Sequence, residues 1–282
     1  MEYSDTAIKL LKSPYLLQQI VSDMKILTGS SNEPVLLLAY LAATSRKMNC
    51  PYSLVMVLNE DTSQDVLSSV IQKLVPDEDI VNIPLSFSAL ENLGEDKFIH
   101  KLWLLGEVSP YDKMVIQLVR QMVGENELGW IKSEIKDKDR IKQIKRTSRV
   151  SIFLSTRFKR VTMEACRGWF IVNRKETTAS TWPLSDKDTT ASFVKKHKQA
   201  QRLLKEVFVM NPFKDKLEGV NRKFLDVIEC VAFLRQYQKE LKFKDSIPYI
   251  ECDLKDYKIS YEIGKEIFKE EFLKESEQSE QK

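Results

Sequence analysis

Apolar residues recur at helical spacing in the first part of the chain, in the stretches 8–11, 16–21 and 36–41. This periodicity predicts two or three amphipathic helices. The sequence TGSSNEP interrupts the pattern, because Gly29 and Pro34 favour a break between helices. The chain therefore opens with a predicted helical segment.

Short, continuous apolar runs of strand length follow, and polar turns bound them. These runs are SLVMVL (53–58), KLWLLGEV (101–108), VSIFLSTR (150–157) and GWFIVN (168–173). An amphipathic helix, DVLSSVIQKLV, follows the first run after the polar turn NEDTSQ. Uninterrupted apolar strands separated by helices are typical of a parallel sheet that is covered on both faces. In such sheets, ligands bind beyond the carboxyl ends of the strands.

Between the second and third runs lies the sequence ELGWIKSEIKDKDRIKQIKRTSR, whose residues alternate on either side of KDKD. This alternation predicts a β-hairpin that projects from the sheet. After about Phe193 the pattern becomes helical again. We therefore predict an α/β fold with four parts: an N-terminal helical segment (1–48), a sheet-containing core (49–188), a helical C-terminal domain (189–268) and a charged, disordered tail (269–282).

Composition excludes several classes of function. The chain has 44 Lys and Arg residues against 41 Asp and Glu residues, for a net charge of +3, so bulk charge does not indicate a nucleic-acid partner. Its four cysteines form no C-x-x-C pair and only two histidines are present, which argues against a zinc site or a disulfide framework. We see no signal pattern and no apolar run long enough for a membrane span, so we expect a cytoplasmic protein without a membrane partner.

Local charge is less even than the total. The predicted hairpin carries eight basic residues: Lys132, Lys136, Lys138, Arg140, Lys142, Lys145, Arg146 and Arg149. They are candidate contacts to nucleic-acid phosphates, and the nearby Trp130 is a candidate for stacking on a base. The alternative is a solvated edge whose lysines prevent strand pairing, with the tryptophan packed under its own hairpin.

Several segments together resemble one known family, and they occur in the order in which that family has them. The segments are LLAYLAATSRKMNCPYSLVM, LVPDEDIV, HKLWLLGE, AQRLLKEVFVMNPF, VAFLRQYQKELK and IPYIECDLKDYKISYEI. The family is that of primase-associated, helicase-type ATPases of phages, plasmids and integrated elements, which have an AAA+-like domain. The resemblance covers most of the chain and implies a P-loop-type sheet.

The resemblance also implies a phosphate loop of the G-x-G-K-S kind, and this chain lacks one. Aligned without a gap from LVP, the loop falls on residues 61–65, where Asp61, Ser63, Gln64 and Asp65 stand. Family glycines allow close backbone approach to phosphates, and the family lysine neutralises their charge. None of these functions is available to the side chains present, so we expect a degenerate ATP site without a nucleotide cofactor or bound metal.

The other ATPase motifs are altered in a similar way. Where the family has paired acids, this chain has Gly106 and Glu107. Ser155 and Thr156 match the family's polar sensor residues, and Arg167 matches an arginine that serves as a finger between subunits. Each position also has an ordinary structural interpretation, such as an arginine that pairs with an acid.

We therefore expect a protein that is not an active ATPase but acts in DNA replication of a mobile element, or in its inhibition. It would bind DNA, or an active helicase or primase partner, and could form homo- or hetero-oligomers. Two alternatives remain open at this stage: a stand-alone DNA-binding module that uses the basic hairpin, and an ATPase with an unorthodox site.

Overall fold

A computed structural model describes residues 5–58, 66–82, 89–90, 92–109, 111–122, 127–133, 141–158, 169–173, 187–214 and 222–268. Its helices are α1 (Asp5–Lys12), α2 (Leu16–Thr28), α3 (Glu33–Thr44), α4 (Val66–Leu74), α5 (Lys113–Arg120), α6 (Lys187–Leu203), α7 (Arg222–Leu234) and α8 (Leu254–Ile267). Its strands are β1 (Ser53–Val57), β2 (Ile80–Val81), β3 (Ile99–Glu107), β4 (Glu127–Ser133), β5 (Ile141–Thr147), β6 (Arg149–Thr156), β7 (Trp169–Asn173), β8 (Phe208–Met210), β9 (Lys242–Lys244) and β10 (Ile247–Glu251).

The central sheet has five parallel strands in the order β2-β3-β6-β1-β7. The four apolar runs of the sequence form β1, β3, β6 and β7, so the predicted parallel sheet is confirmed. The edge strand β2 is only two residues long and gave no signal in the sequence. The chain leaves β1 toward β2 and leaves β6 toward β7, in opposite directions along the sheet. The crevice between β1 and β6 is therefore the topological switch point, where ligands bind in open α/β sheets.

Side-chain alternation along the strands builds a separate core on each face of this sheet. On one face, Leu54 and Met56 of β1 pack in a large cluster that includes residues of α2, α3 and α4. On the other face, Val55 packs with Trp103 of β3 and with residues of α5. Burial of both faces explains why the strands read as unbroken apolar runs.

The C-terminal region contains more than the helices expected from the sequence. α6, α7 and α8 accompany a three-stranded sheet in the order β8-β10-β9, in which β8 is parallel and β9 antiparallel to β10. The expectation of a wholly helical domain was wrong because these strands have only three to five residues, too few to show alternation. The larger apolar core contains residues from the first three of the four predicted parts, from Ala7 to Phe268.

A fully buried arginine joins elements from distant parts of the sequence. Arg46 follows α3, and its guanidinium donates to Asp79 Oδ2 from Nε at 3.2 Å and from Nη2 at 2.7 Å. Its Nη1 donates to Gln201 Oε1 of α6 at 2.7 Å and to the Ala43 carbonyl at 3.0 Å. Burial lowers the pKa of Arg46, and the Asp79 carboxylate opposes that shift. Arg46 thus fixes α6 and the turn before β2 to the end of α3.

Two pairs at the surface surround this buried centre. Lys198 contacts Asp77, and Arg202 donates to both carboxylate oxygens of Glu78 at 2.7 and 2.9 Å. The hydrogen bonds from Arg202 lower the pKa of Glu78 to about 2. These contacts pair the acids of the PDED sequence with cations of α6 across the seam between α6 and the 77–79 turn.

His197, for which the sequence offered no partner, lies in a buried chain of hydrogen bonds. Its Nε2 is 2.9 Å from Asp23 Oδ2, and its Nδ1 is 3.1 Å from the Tyr40 hydroxyl. Burial lowers the pKa of His197 and raises that of Tyr40 to about 12. A neutral imidazole that donates from Nε2 and accepts the tyrosine proton satisfies both contacts. Because His197 and Tyr40 are shielded from solvent, this chain of contacts holds α2, α3 and α6 together.

We expect the substitution Arg46→Ala to lower the free energy of unfolding by about 3–5 kcal/mol. The reason is that Asp79 and Gln201 would lose their buried partner. Urea unfolding followed by circular dichroism measures this difference. The matched control is Lys25→Ala, which removes the partly exposed ion pair with Glu33 and should cost less than about 1 kcal/mol. Equal losses in the two variants would contradict a central role for Arg46.

Candidate functional site

The carboxyl edge of the central sheet brings together the ends of β1, β3 and β6. The Leu58 amide donates to the Thr156 carbonyl at 2.8 Å, and the Val108 amide donates to the Ser155 carbonyl at 2.8 Å. These bonds continue the ladders past the strand ends, so the backbone is fixed here. The predicted phosphate-loop positions Asp61, Ser63, Gln64 and Asp65, and the predicted finger Arg167, lie outside the described residues.

Gly106 and Glu107, at the predicted second acidic motif, lie on a bulge at the end of β3. The register with β6 shifts between Leu104 and Glu107, and Gly106 has a φ of 66°, in the left-handed region. Glycine adopts that conformation without the strain that a side chain brings. The bulge places Glu107 opposite Ser155, beside the switch point.

The carboxylate of Glu107 is paired with a cation of the same chain. Arg157 Nε, just beyond β6, donates to Glu107 Oε1 at 3.0 Å. An acid that serves a metal ion or polarises water must offer its charge to that ligand. Here a guanidinium already offsets the charge of the one acid left at the motif. The arrangement suits a structural ion pair between the ends of β3 and β6 better than nucleotide chemistry.

The two predicted sensor hydroxyls are also enclosed. Ser155 and Thr156 are both buried in β6. Thr156 Oγ1 accepts a hydrogen bond from the Phe158 amide at 3.1 Å, which helps the chain to turn after the strand. The structure thus brings Glu107, Ser155 and Thr156 together at one edge and gives at least two of them local partners.

The predicted hairpin is formed by β4 and β5, whose register runs from Glu127 opposite Thr147 to Ser133 opposite Ile141. Lys132 pairs directly with Lys142 in this register. Residues opposite each other lie on the same face, and so do residues two apart. One face therefore carries Lys132, Lys142 and Arg146, whereas Lys145 falls on the other face.

The aromatic residue of β4 also has a defined position in this register. Trp130 lies on the same face, opposite Ile144. Lys136, Lys138 and Arg140, which complete the predicted set, lie outside the described residues.

Arg149 does not belong to the hairpin, contrary to its place in the predicted set. It is the first residue of β6, and its Nη1 donates to Glu206 at 2.8 Å and to Asn49 at 3.2 Å. Only Ser148 separates β5 from β6, so the hairpin joins the sheet at its amino edge. β6 has eight residues, and at about 3.3 Å per residue the hairpin and the Glu107 edge lie about 25 Å apart.

A buried acidic cluster on α7 was missed by the sequence interpretation. The Tyr52 hydroxyl contacts Asp226 Oδ1 at 3.2 Å and Glu229 Oε2 at 3.3 Å. Burial and the nearby Glu229 raise the pKa of Asp226 to about 6. Lys214 and Asn211 also contact Glu229. Two acids three positions apart within the apolar run FLDVIECVAFL were the available signal.

Within the described parts of the chain, no group of three or more His, Cys, Asp or Glu residues is arranged to hold a metal ion. None of the helices described has the length and apolar character that crossing a membrane requires. No protein-family model matches the chain, and neither does any curated protein.

We expect Asp226→Asn to stabilise the protein at neutral pH. The wild-type carboxyl has a pKa of about 6 when folded against 3.8 ordinarily, so the folded state binds more protons between these values. Stability therefore falls as pH rises through this window, by up to about 3 kcal/mol at about 1.4 kcal/mol per pKa unit. Asparagine keeps an acceptor for Tyr52 without that cost. Urea unfolding at several pH values measures the difference, which should vanish below the ordinary pKa.

The matched control is Asp188→Asn, which neutralises an exposed acid in the first turn of α6. We expect this variant to lose less than about 1 kcal/mol, with little dependence on pH in that window. The assignment would be contradicted if the free energy of unfolding of wild type rose with pH between the two pKa values of Asp226. It would also be contradicted if Asp226→Asn did not flatten the dependence on pH.

Proposed function

We propose that this chain is a helicase-like protein with an AAA+-type core that does not hydrolyse ATP. It acts in DNA replication of a mobile element, or in inhibition of that replication. It binds DNA through the β4–β5 hairpin, an active helicase or primase partner, or both. A cytoplasmic location belongs to the same proposal. The observation that carries it is the pairing of Glu107 with Arg157 at the sheet edge where an active relative would act on nucleotide.

The order of the strands supports the P-loop-type part of this proposal. β1 lies inside the sheet, and the acid-bearing β3 and hydroxyl-bearing β6 end on the same edge. This order is compatible with a P-loop-type fold, and the carboxyl end of β1 lies beside the switch point. The AAA+ assignment itself rests on the resemblance of the sequence segments.

Loss of ATP chemistry is supported from two directions. In the sequence, residues 61–65 have neither the glycines nor the lysine that hold phosphates. In the structure, Gly106 forms a bulge and Glu107 has an internal cation as its partner. A triphosphate at this edge would lack both its anchor and the acid that organises its metal ion.

A role in DNA binding is supported by the charged face of the hairpin. Lys132, Lys142 and Arg146 lie on one face with Trp130, as their register shows. Charge without base-specific geometry suits contact with the phosphate backbone, and an aromatic ring suits stacking on unpaired bases. In helicase-type AAA+ proteins, hairpins at this position contact nucleic acid in the central pore. Placement about 25 Å from the Glu107 edge also fits a module that binds DNA without nucleotide.

For binding to a helicase or primase partner, the proposed mechanism is mimicry of a subunit. The chain would enter or cap a ring of active relatives and lend Arg167 to a neighbour's site, while offering no ATP site of its own. Under this mechanism the chain forms a homo- or hetero-oligomer. Co-purification of a helicase or primase from the native host supports it.

We expect Lys132→Gln, Lys142→Gln and Arg146→Gln together to weaken binding of single-stranded DNA and to flatten its salt dependence. Three lost phosphate contacts reduce the slope of log K against log salt by about 2. Fluorescence anisotropy of a labelled oligonucleotide over a range of salt concentrations measures both quantities.

The matched control replaces three exposed helical lysines, Lys12, Lys113 and Lys258, with glutamine. It changes net charge by the same amount and should leave most of the salt slope intact. If both triple variants lose the same affinity, binding depends on net charge and not on the hairpin.

An ATPase with an unorthodox site remains the rival function, and Glu107→Gln tests it. We expect wild type and this variant to show the same background rate of phosphate release with and without DNA. Hydrolysis by wild type that disappears in the variant would overturn the proposal that ATP chemistry is lost.

A further inference from the structure

The carboxylate of Glu206 bridges two neighbouring strands near their first residues, at the amino edge of the central sheet. Its Oε1 accepts a hydrogen bond from Arg149 Nη1 of β6 at 2.8 Å, and its Oε2 lies 3.1 Å from His100 Nε2 of β3. Arg149 Nη1 also donates to Asn49 Oδ1 at 3.2 Å. Each carboxylate oxygen therefore has its own partner, and we call Arg149, His100 and Glu206 the amino-edge cluster.

The backbone of β3 holds His100 in place for this contact. Its φ is 56°, in the left-handed region, and the register with β6 shifts between Ile99 and Lys101 on either side of it. Its Nδ1 lies 2.9 Å from the Arg46 carbonyl, which fixes the ring. Left-handed φ values are uncommon for residues other than glycine and are concentrated at ligand contacts and switch regions. The bulge therefore gives the imidazole a defined position beside Arg149.

All three side chains of the amino-edge cluster are partly exposed. The exposed fraction is 32% for Arg149, 27% for His100 and 43% for Glu206. Ion pairs with this much exposure contribute little to stability, because water screens them. A guanidinium and an imidazole N–H that bind carboxylate oxygens can bind phosphate oxygens as well. Glu206 therefore occupies donors that have the chemistry of a phosphate site.

The amino-edge cluster lies at the base of the β4–β5 hairpin. Only Ser148 separates Arg149 from Thr147, the last residue of β5. Arg146, on the charged face of the hairpin, is three residues from Arg149, and three residues of extended chain span at most about 11 Å. A phosphate next to one that Arg146 binds is therefore within reach of Arg149.

We propose that Glu206 acts as an internal phosphate mimic that keeps Arg149 and His100 from binding DNA. In wild type, the carboxylate occupies both donors, and the amino edge adds no phosphate contact to those of the hairpin. Loss of the Glu206 charge opens a site for one phosphate of single-stranded DNA. This inference rests on the proposed function of the hairpin and adds an autoinhibitory contact at its base.

The substitution Glu206→Gln tests this contact, because glutamine keeps the size of the side chain and removes its charge. Anisotropy of a labelled single-stranded oligonucleotide at low salt should show affinity higher by a factor on the order of five to ten. The slope of log K against log salt should steepen by about 0.7, the contribution of one phosphate contact on a single strand. The matched control is Glu33→Gln, which neutralises an acid paired with Lys25 and should bind DNA like wild type.

The substitution Arg149→Gln distinguishes a new phosphate contact from a general loss of repulsion. Alone, it should lower DNA affinity no more than Lys25→Gln, the matched loss of a paired cation, because the site is closed in wild type. Combined with Glu206→Gln, it should cancel the gain in affinity and in salt slope. A gain that persists in the double variant would overturn the inference, since DNA would then respond only to the lost negative charge.

Two further outcomes separate failure of this inference from failure of the proposed function. DNA binding that depends on Lys132, Lys142 and Arg146 but does not change in Glu206→Gln would overturn the inference and leave the hairpin proposal standing. Absence of DNA binding in both wild type and Glu206→Gln would overturn both. Urea unfolding of each variant checks that it is folded, and the partial exposure of the pair leads us to expect only small losses of stability.

Discussion

The buried guanidinium of Arg46 is the interaction on which the arrangement of the chain depends. It has no exposed surface, and it can remain charged only because Asp79, Gln201 and a backbone carbonyl surround it. These partners come from the turn before β2, from α6 and from α3. These contacts fix the N-terminal helices, the central sheet and the C-terminal region relative to one another. Paired surface charges lie around the same seam.

That fixed arrangement gives the two edges of the central sheet different chemistry. At the carboxyl edge, Gly106 forms a bulge and Glu107 pairs with Arg157. At the amino edge, the β4–β5 ribbon joins the sheet, and Lys132 lies opposite Lys142 in its register. The proposed DNA-binding function uses the amino edge of the sheet and not the carboxyl edge.

The sequence was sufficient for the features that local pattern encodes. Unbroken apolar runs identified β1, β3, β6 and β7, and alternation around KDKD identified the hairpin. It could not reveal the burial of Arg46, whose partners Asp79 and Gln201 lie 33 and 155 residues away. The same limit applies to His197 with Asp23 and to Glu107 with Arg157. Strands as short as β8 and β9 have no readable period, and so the C-terminal sheet was missed.

The central proposal is that this chain acts on DNA without nucleotide. Its most direct test is the binding isotherm of single-stranded DNA, recorded by anisotropy in the absence and in the presence of saturating MgATP. We predict saturable binding and two isotherms that coincide, because the proposal assigns no ATP site to the Glu107 edge. An isotherm that shifts with MgATP, or the absence of DNA binding in either condition, would contradict it.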